Sequence, residues 1–394
     1  MKEYVYADNA ATTRLSNKAF ESMLPYLQNE YGNASQLYSF ARLPKKALKE
    51  ARQVIANCIG AQPSEIFFTS CGTESDNWVI NGAVQQHLPI VTSSIEHHAI
   101  LRPCEAAKRC GCSVSLLPVT KEGIVLSSSV KEVVHSSCGL LSVMYANNEI
   151  GTIQPIKELA TIAHENGWLM HTDAVQAMGH TRINVRELGI DMLSASAHKF
   201  NGPKGIGFLY IKEGIDWPSL IKGGAQEKGL RAGTENVASI VGMATALEEN
   251  VISICENESY LAHLEEILIS NLSRSGIVFY RNGAENHIRG NVSLSFPNRS
   301  GESIMHRLDL KGICVSTGSA CDSKETQISH VLKAIGLEEM LAKGTIRISL
   351  SKYNTEQDMI KIVQVLVALY DMSVAELQKV STENLSQRRN ERLV

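Results

Sequence analysis

The stretch Met192-Leu-Ser-Ala-Ser-Ala-His-Lys-Phe-Asn-Gly-Pro-Lys-Gly-Ile-Gly-Phe-Leu-Tyr-Ile211 joins two apolar runs through a glycine-rich turn. Both runs have the length and composition of buried strands, and the Gly and Pro residues between them predict a tight turn. Lys199 directly follows the first run, a position that lines ligand-binding crevices in α/β sheets. The stretch therefore predicts an amine held rigidly at a site. By itself it also fits a surface lysine in a β-turn.

A second apolar run, upstream of this stretch, ends in a carboxylate. The run begins at Trp168 and leads into Asp173 and Gln176. A buried carboxylate is costly unless it is paired, and a protonated ring nitrogen of a bound group is a suitable partner. Asp173 and Lys199 are 26 residues apart, which leaves room for one helix and one strand between them.

Strand and helix patterns alternate from about residue 65 to residue 211. This alternation predicts a mostly parallel sheet with helices on both faces and ligands at its carboxyl edge. Polar candidates follow five of the predicted strands, namely Thr73, His97, Asn148, Asp173 and Lys199. Gly72 and Thr73 also open a predicted helix, whose N–H groups suit a phosphate. Each segment alone also fits an ordinary turn or a capped helix.

Composition favours a globular enzyme of two domains. The chain has 394 residues, 44% hydrophobic and 20% charged, with a net charge of −3. This balance does not favour nucleic acid or an anionic membrane surface as a partner. The N-terminus lacks the pattern of a signal peptide and no run approaches the length of a membrane span, so we expect a cytoplasmic protein.

The nine cysteines are odd in number and irregularly spaced. They do not predict a disulfide framework. Cys110 and Cys112 are too close together for the usual zinc knuckle, and adjacent His97 and His98 point in different directions from a strand end. We therefore predict no metal site.

Several segments together resemble the NifS/IscS cysteine desulfurases, which are fold-type I pyridoxal 5'-phosphate (PLP) enzymes of the class V aminotransferase group. The matching segments are Tyr6-Ala-Asp-Asn-Ala-Ala-Thr-Thr13, Glu96-His-His-Ala99, Ser196-Ala-His-Lys199 and Ser316-Thr-Gly-Ser-Ala-Cys321. The resemblance extends from Tyr6 to about residue 370. It implies an α/β fold with a large domain, formed by residues 14–255, and a smaller α+β domain, formed by residues 1–13 and 256–394.

The resemblance also implies a role for each candidate residue. Lys199 is the Schiff-base lysine, His97 stacks on the cofactor ring and takes part in proton transfer, and Cys321 accepts the sulfur. Asp173 pairs with the ring nitrogen, Gln176 and Asn148 face the ring oxygen, and Asn148 and Arg347 bind the substrate. Gly72 and Thr73 suit the phosphate, Ser196 and His198 are further cofactor-binding residues that can hold an oxyanion, and Thr234 binds the phosphate of the partner's cofactor in a homodimer. The stretch after Cys321 resembles the long loops of members that transfer persulfide to scaffold proteins.

The function so implied is conversion of L-cysteine to L-alanine, with the sulfur passed through a Cys321 persulfide to an acceptor protein for iron–sulfur cluster or thio-cofactor synthesis. Two alternatives stay open, a selenocysteine lyase and a non-enzymatic scaffold of the same fold. Two positions depart from the family pattern: Cys71 replaces a glycine of the phosphate turn, and Tyr38 stands where a histidine is usual.

Overall fold

The computed structural model describes residues 4–134, 138–317 and 328–370. The strands are β1 Val5–Tyr6, β2 Ile66–Thr69, β3 Ile90–Ser93, β4 Val114–Leu117, β5 Leu140–Ser142, β6 Leu169–Asp173, β7 Met192–Ser196, β8 Gly207–Ile211, β9 Tyr280–Asn282, β10 Asn291–Ser295, β11 Ile313–Cys314 and β12 Thr345–Ser349. The helices are α1 Asn17–Gln28, α2 Arg42–Ile59, α3 Gly72–Gln85, α4 His98–Arg109, α5 Ser127–Val133, α6 Ile156–Glu165, α7 Val237–Ile252, α8 Ile254–Arg274, α9 Gly301–Leu310, α10 His330–Ala334 and α11 Glu339–Ala342. Residues 356–370 are also helical.

Seven strands form the central sheet, in the order β2-β8-β7-β6-β5-β3-β4. All neighbouring strands are parallel except those that flank β8, which runs antiparallel to both β7 and β2. The turn between β7 and β8 is too short for a crossover helix, so the second strand can only return antiparallel. The predicted fold class, α/β with a mostly parallel sheet, is confirmed.

Alternate residues of the central strands enter two different cores. Leu141 and Leu193 face a core that includes α2, α6 and α7, whereas Leu140 and Met192 face a core formed with α3 and α4. A strand presents successive side chains to opposite faces, so strands buried on both sides read as continuous apolar runs. The helices predicted on both faces of the sheet are therefore present.

A second group of strands has its own core. Strands β12, β10 and β9 form an antiparallel sheet, and β1 pairs in parallel with β11. Val5 packs in this second core with Leu268, Leu294 and Ile346. The pairing of β1 with β11 brings the start of the chain to the C-terminal part. The exact division at residue 255 stays a prediction.

Two connections differ from the expectations. Residues 174–191, between Asp173 and β7, form turns and no helix. The Asp173 carboxylate accepts a hydrogen bond from Val175 N, which closes a turn directly after the strand. The sequence also has a helical pattern from Val237 to about Arg274, which predicts one long helix bridging the two domains. In the structure this helix is broken at Ser253, where α7 and α8 meet at 71°. The break follows from packing, because α7 contributes to the core of the central sheet and α8 to the second core.

A test for membrane-spanning helices, applied to the described residues, finds no single helix that is long and apolar enough. Only the bent pair of α7 and α8 satisfies it by length and composition.

Two glycines in helix interiors test how rigidly the cores are packed. A Cβ at Gly82 in α3 would overlap the buried Trp217 indole, whereas a Cβ at Gly242 in α7 would meet the flexible end of Met23 at 2.6 Å. Alanine raises helix propensity at both positions by about 1 kcal/mol. We expect Gly82→Ala to lose about 1–3 kcal/mol of stability through overpacking. Gly242→Ala should change stability little, and thermal unfolding of both variants checks this. Equal melting temperatures for the two variants would contradict the prediction.

Candidate active site

The carboxyl ends of β2, β3, β5, β6 and β7 lie at one edge of the central sheet, because these strands run in the same direction. A cavity of about 330 Å³ opens at this edge. The structure brings ten of the predicted site residues together around it: Gly72, Thr73, His97, Asn148, Asp173, Gln176, Ser196, His198, Lys199 and Arg347. They come from segments that are distant in sequence, and the second core contributes Arg347 from β12.

Lys199 is held at the cavity by the N-terminal segment. It ends a short 3-10 turn, Ala197–Lys199, that directly follows β7. Its Nζ atom donates hydrogen bonds to the carbonyl oxygens of Ala10 at 2.6 Å and Ala11 at 2.9 Å. The amine is thus positioned by backbone acceptors, and it lies in the same cavity as Asp173.

Asp173 supplies a buried negative charge to the cavity. Its side chain is 5% exposed, and one carboxylate oxygen accepts from Val175 N at 2.9 Å. Burial raises the pKa of Asp173 to about 6, while the Val175 N–H and the charge of Lys199 act in the opposite direction. A positively charged ring nitrogen placed against this carboxylate would offset the cost of its burial.

Two histidines in the cavity are neutral at pH 7. Burial, followed by the charge of Lys199, lowers the pKa of both His97 and His198 to about 4. His97 Nδ1 accepts from Ala99 N at 3.1 Å, which places the proton of the neutral ring on Nε2. His198 Nδ1 lies 3.1 Å from the hydroxyl oxygen of Thr12.

One end of the cavity suits an anion. Gly72 and Thr73 begin α3, where the first N–H groups of the helix have no partner within it. The Ser196 hydroxyl is buried and has no hydrogen-bond partner among the described residues. A Cβ on Gly72 would lie 2.5 Å from Val175 Cγ2 and 3.5 Å from Ser196 Cβ, so only glycine leaves this space open.

The cavity lining also carries a guanidinium. Arg347 is 6% exposed, donates from Nη1 to the Asn148 carbonyl oxygen at 3.0 Å, and pairs from Nη2 with Asp8 at 2.7 Å. A planar guanidinium is well suited to a carboxylate. The lining therefore includes a part at α3 that suits a phosphate and a part at β12 that suits a carboxylate.

Three predicted residues differ from these ten or from their expected contacts. Gln176 lines the cavity, but its Nε2 atom donates to the Ala10 carbonyl oxygen at 2.9 Å. Thr234 is exposed and does not line the cavity of its own chain. Cys321 lies outside the described residues.

Several cavity residues were missed by the sequence reasoning. Asp76 is fully buried in α3, and burial together with the charge of Asp173 raises its pKa. Asp8 and His330 also line the cavity. Asp8 belongs to the matching N-terminal segment, which was the available signal. Asp76 lies on a helix, and no local pattern distinguishes its position from a solvent-facing one.

The anion-binding turn, the buried carboxylate and the lysine amine fit the phosphate, ring nitrogen and aldehyde of PLP. The fold and this cavity together define a fold-type I PLP-dependent enzyme. Comparison with known proteins agrees with this class. The chain matches the family described as Aminotransferase class-V over residues 5–362, and it belongs to this family of PLP-dependent enzymes.

Relatives of this chain are named as cysteine desulfurases. The chain is 45% identical over 371 residues to the cysteine desulfurase IscS of Dictyoglomus turgidum, covering 93% of this chain and 94% of that protein. A solved NifS-like protein is 36% identical, with a TM-score of 0.89, and covers 94% of this chain and 100% of its own. A structure of SspA in complex with cysteine is 34% identical, with a TM-score of 0.78, and covers 89% of this chain and 100% of its own.

The orphaned Ser196 hydroxyl should contribute to PLP binding. We expect Ser196→Ala to weaken PLP affinity about tenfold, the scale of one hydrogen bond to a charged group. Ser142→Ala is the matched control, because the Ser142 hydroxyl is also buried in the central sheet, bonds His171 at 2.8 Å and does not line the cavity. Absorbance titration of the apoproteins with PLP measures both affinities. Equal losses in the two variants would argue against a phosphate contact.

Asp173 should make PLP uptake dependent on pH. Its pKa is raised to about 6, so the side chain carries a negative charge above pH 6 and loses that charge by protonation as the pH falls through this value. We expect the affinity of the apoprotein to decrease between pH 7 and pH 5, approaching about tenfold per pH unit below the pKa. Asp173→Asn should bind PLP weakly and with a flatter profile. Identical profiles would show that another group controls uptake.

Proposed function

We propose that the chain is a PLP-dependent cysteine desulfurase that converts L-cysteine to L-alanine and retains the sulfur as a persulfide on Cys321. The observation that carries this proposal is a single cavity that holds Lys199, Asp173 and Arg347, in a chain 45% identical to a cysteine desulfurase. The cavity joins a cofactor end to a carboxylate-binding end, as an amino-acid substrate requires.

Substrate binding is assigned to the wall formed by β12 and the loop after β5. Arg347 binds the α-carboxylate, since its guanidinium is buried and lines the cavity. Asn148 lines the same wall, and its backbone carbonyl orients the guanidinium at 3.0 Å. The reacting carbon then lies between this wall and the cofactor end of the cavity.

Proton transfer is assigned to Lys199, assisted by His97. Bound PLP supplies an electron sink for bond changes at the substrate carbon atoms. Asp173 keeps the ring nitrogen of that group protonated through its buried negative charge. Lys199 removes and returns the proton at Cα, and neutral His97 presents an Nε2 proton as a hydrogen-bond donor.

Sulfur transfer is assigned to Cys321, which lies outside the described residues. Its thiolate attacks the substrate sulfur, so that an S–S bond forms as the Cβ–S bond breaks. The electron pair of the broken bond stays with the substrate carbon, which takes up protons and leaves as alanine. The persulfide is then open to an acceptor protein. We propose an acceptor for iron–sulfur cluster or thio-cofactor synthesis, and a cytoplasmic location.

A homodimer completes this proposal, with Thr234 reaching the phosphate of the cofactor in the partner subunit. Two features support it. Thr234 is exposed and outside the cavity of its own chain. Large apolar side chains are also exposed in one segment near the N-terminus, where Tyr31 is 72% and Leu37 97% exposed. Such a surface is more typical of an interface than of a solvated face. The mass in solution, measured by light scattering, tests the dimer.

A selenocysteine lyase would use nearly the same PLP residues. Comparing the rates of alanine formation from L-cysteine and L-selenocysteine separates the two activities. A non-enzymatic scaffold would instead yield a purified protein without the PLP chromophore.

The decisive variant is Cys321→Ala, compared with wild type and with Cys110→Ala as the matched control, because Cys110 is an exposed thiol elsewhere. Each protein is checked for its PLP chromophore and then given L-cysteine with a reductant. We expect equal amounts of alanine and sulfide from wild type and Cys110→Ala. Cys321→Ala should lose both products, because the persulfide cannot form, while still binding PLP.

Two results would contradict the proposal. A wild-type protein that carries the PLP chromophore but yields no sulfide would refute the desulfurase function. A Cys321→Ala variant as active as wild type would remove Cys321 from the mechanism.

A further inference from the structure

We propose that Asp8 is a specificity-determining residue, whose negative charge beside Arg347 makes the cavity select zwitterionic amino acids over plain carboxylates. This inference rests on the proposed function, because it assigns the α-carboxylate of the substrate to Arg347. It adds a second charged group to substrate recognition, on a different part of the chain.

The backbone around Asp8 is held rigidly against β12. The backbone of Asp8 forms an isolated parallel β-bridge with Ser349. The neighbouring Asn9 donates from its backbone N to the Ser349 carbonyl oxygen at 3.1 Å. Ala10 N donates to the Ser349 hydroxyl oxygen at 2.9 Å. These bonds place the Asp8 carboxylate beside Arg347, where it lines the cavity and remains 20% exposed.

The guanidinium of Arg347 has one edge left for a ligand. Nη1 donates to the Asn148 carbonyl oxygen and Nη2 pairs with Asp8 at 2.7 Å. Nε is buried and has no acceptor among the described residues. A ligand carboxylate can therefore be accepted at the Nε edge while the pair with Asp8 stays in place.

That arrangement sets two carboxylates on one guanidinium. In a largely buried site their repulsion is weakly screened, so a ligand that brings only a negative charge is penalised. An α-amino acid also brings an ammonium group, one carbon away from its carboxylate. This ammonium offsets the charge of Asp8, and the assembly of Arg347, Asp8 and a zwitterion is neutral. Asp8 thereby favours the amino acid and disfavours the acid that lacks the amine.

Placing Arg347 does not by itself require the charge of Asp8. The backbone of Arg347 is paired on both sides, with Ser316 at 2.7 Å and with Ser293 on β10. Its Nη1 is held by the Asn148 carbonyl oxygen. The neutral Asp8→Asn variant keeps an oxygen acceptor for Nη2, so it removes charge while leaving this geometry supported.

The test compares two ligands of equal carbon count on the PLP-loaded enzyme, L-alanine and propionate. Their dissociation constants are measured by calorimetry for wild type and Asp8→Asn. We expect the variant to bind alanine more weakly and propionate more tightly. The ratio of the two constants should shift by about tenfold or more, the scale of a charge-assisted interaction.

Glu249→Gln is the matched control, because Glu249 pairs with Lys352 at 2.8 Å with 20% exposure and does not line the cavity. The ratio of the alanine and propionate dissociation constants in Glu249→Gln should equal that of wild type. If the dissociation constants of both ligands change by the same factor in Asp8→Asn, the inference is overturned. An equal change would mean that Asp8 only positions Arg347 or competes with any carboxylate for it. A wild type that does not bind alanine measurably would overturn it as well.

Failure of this inference is distinguishable from failure of the proposed function. An enzyme that releases alanine and sulfide from cysteine but shows an unchanged ratio in Asp8→Asn refutes only the role of Asp8. An enzyme that makes no sulfide but shows the shifted ratio refutes the desulfurase activity and keeps Asp8 as an amino-acid recognition residue.

Discussion

The buried carboxylate of Asp173 is the constraint on which the rest of the site depends. It ends a central strand of the sheet at 5% exposure, where water cannot offset its charge. Burial pushes its pKa upward, and the Val175 N–H and then the positive charge of Lys199 act against that change. A second acid, Asp76, is buried close enough for the charge of Asp173 to raise its pKa further. The site is thus suited to a cation, and a protonated ring nitrogen of PLP would fill that role.

A second constraint is that the cavity is assembled from two cores. The cofactor end belongs to the parallel sheet, whereas the carboxylate-binding end belongs to β12. The N-terminal segment connects them, because it pairs with β11 and β12 and also holds the Lys199 amine through the Ala10 and Ala11 carbonyl oxygens. The Arg347 guanidinium and the Lys199 amine are therefore both held by residues 8–11 of the same segment.

Local sequence patterns predicted the elements that meet at the sheet edge. The run before Lys199 and the run that leads into Asp173 are both strands, with Asp173 the last residue of β6 and Lys199 in the turn directly after β7. The pattern failed between them, where a turn closed by Asp173 and Val175 replaces the expected helix. It also failed at Ser253, because helical periodicity continues across a point where the chain passes from one core to another. Periodicity reports which face is apolar, and it does not report which core that face enters.

Local sequence was enough to predict the fold class and ten of the residues that line the cavity, since strand ends, turn glycines and the order of the polar residues are local properties. Only the tertiary structure decided which charges face one another. The contact between Asp8 and Arg347 joins residues 339 positions apart, and the burial that raises the pKa of Asp76 comes from strands elsewhere in the chain. Electrostatic pairing and desolvation depend on distance and burial, which the packing of separate elements creates and no single segment contains.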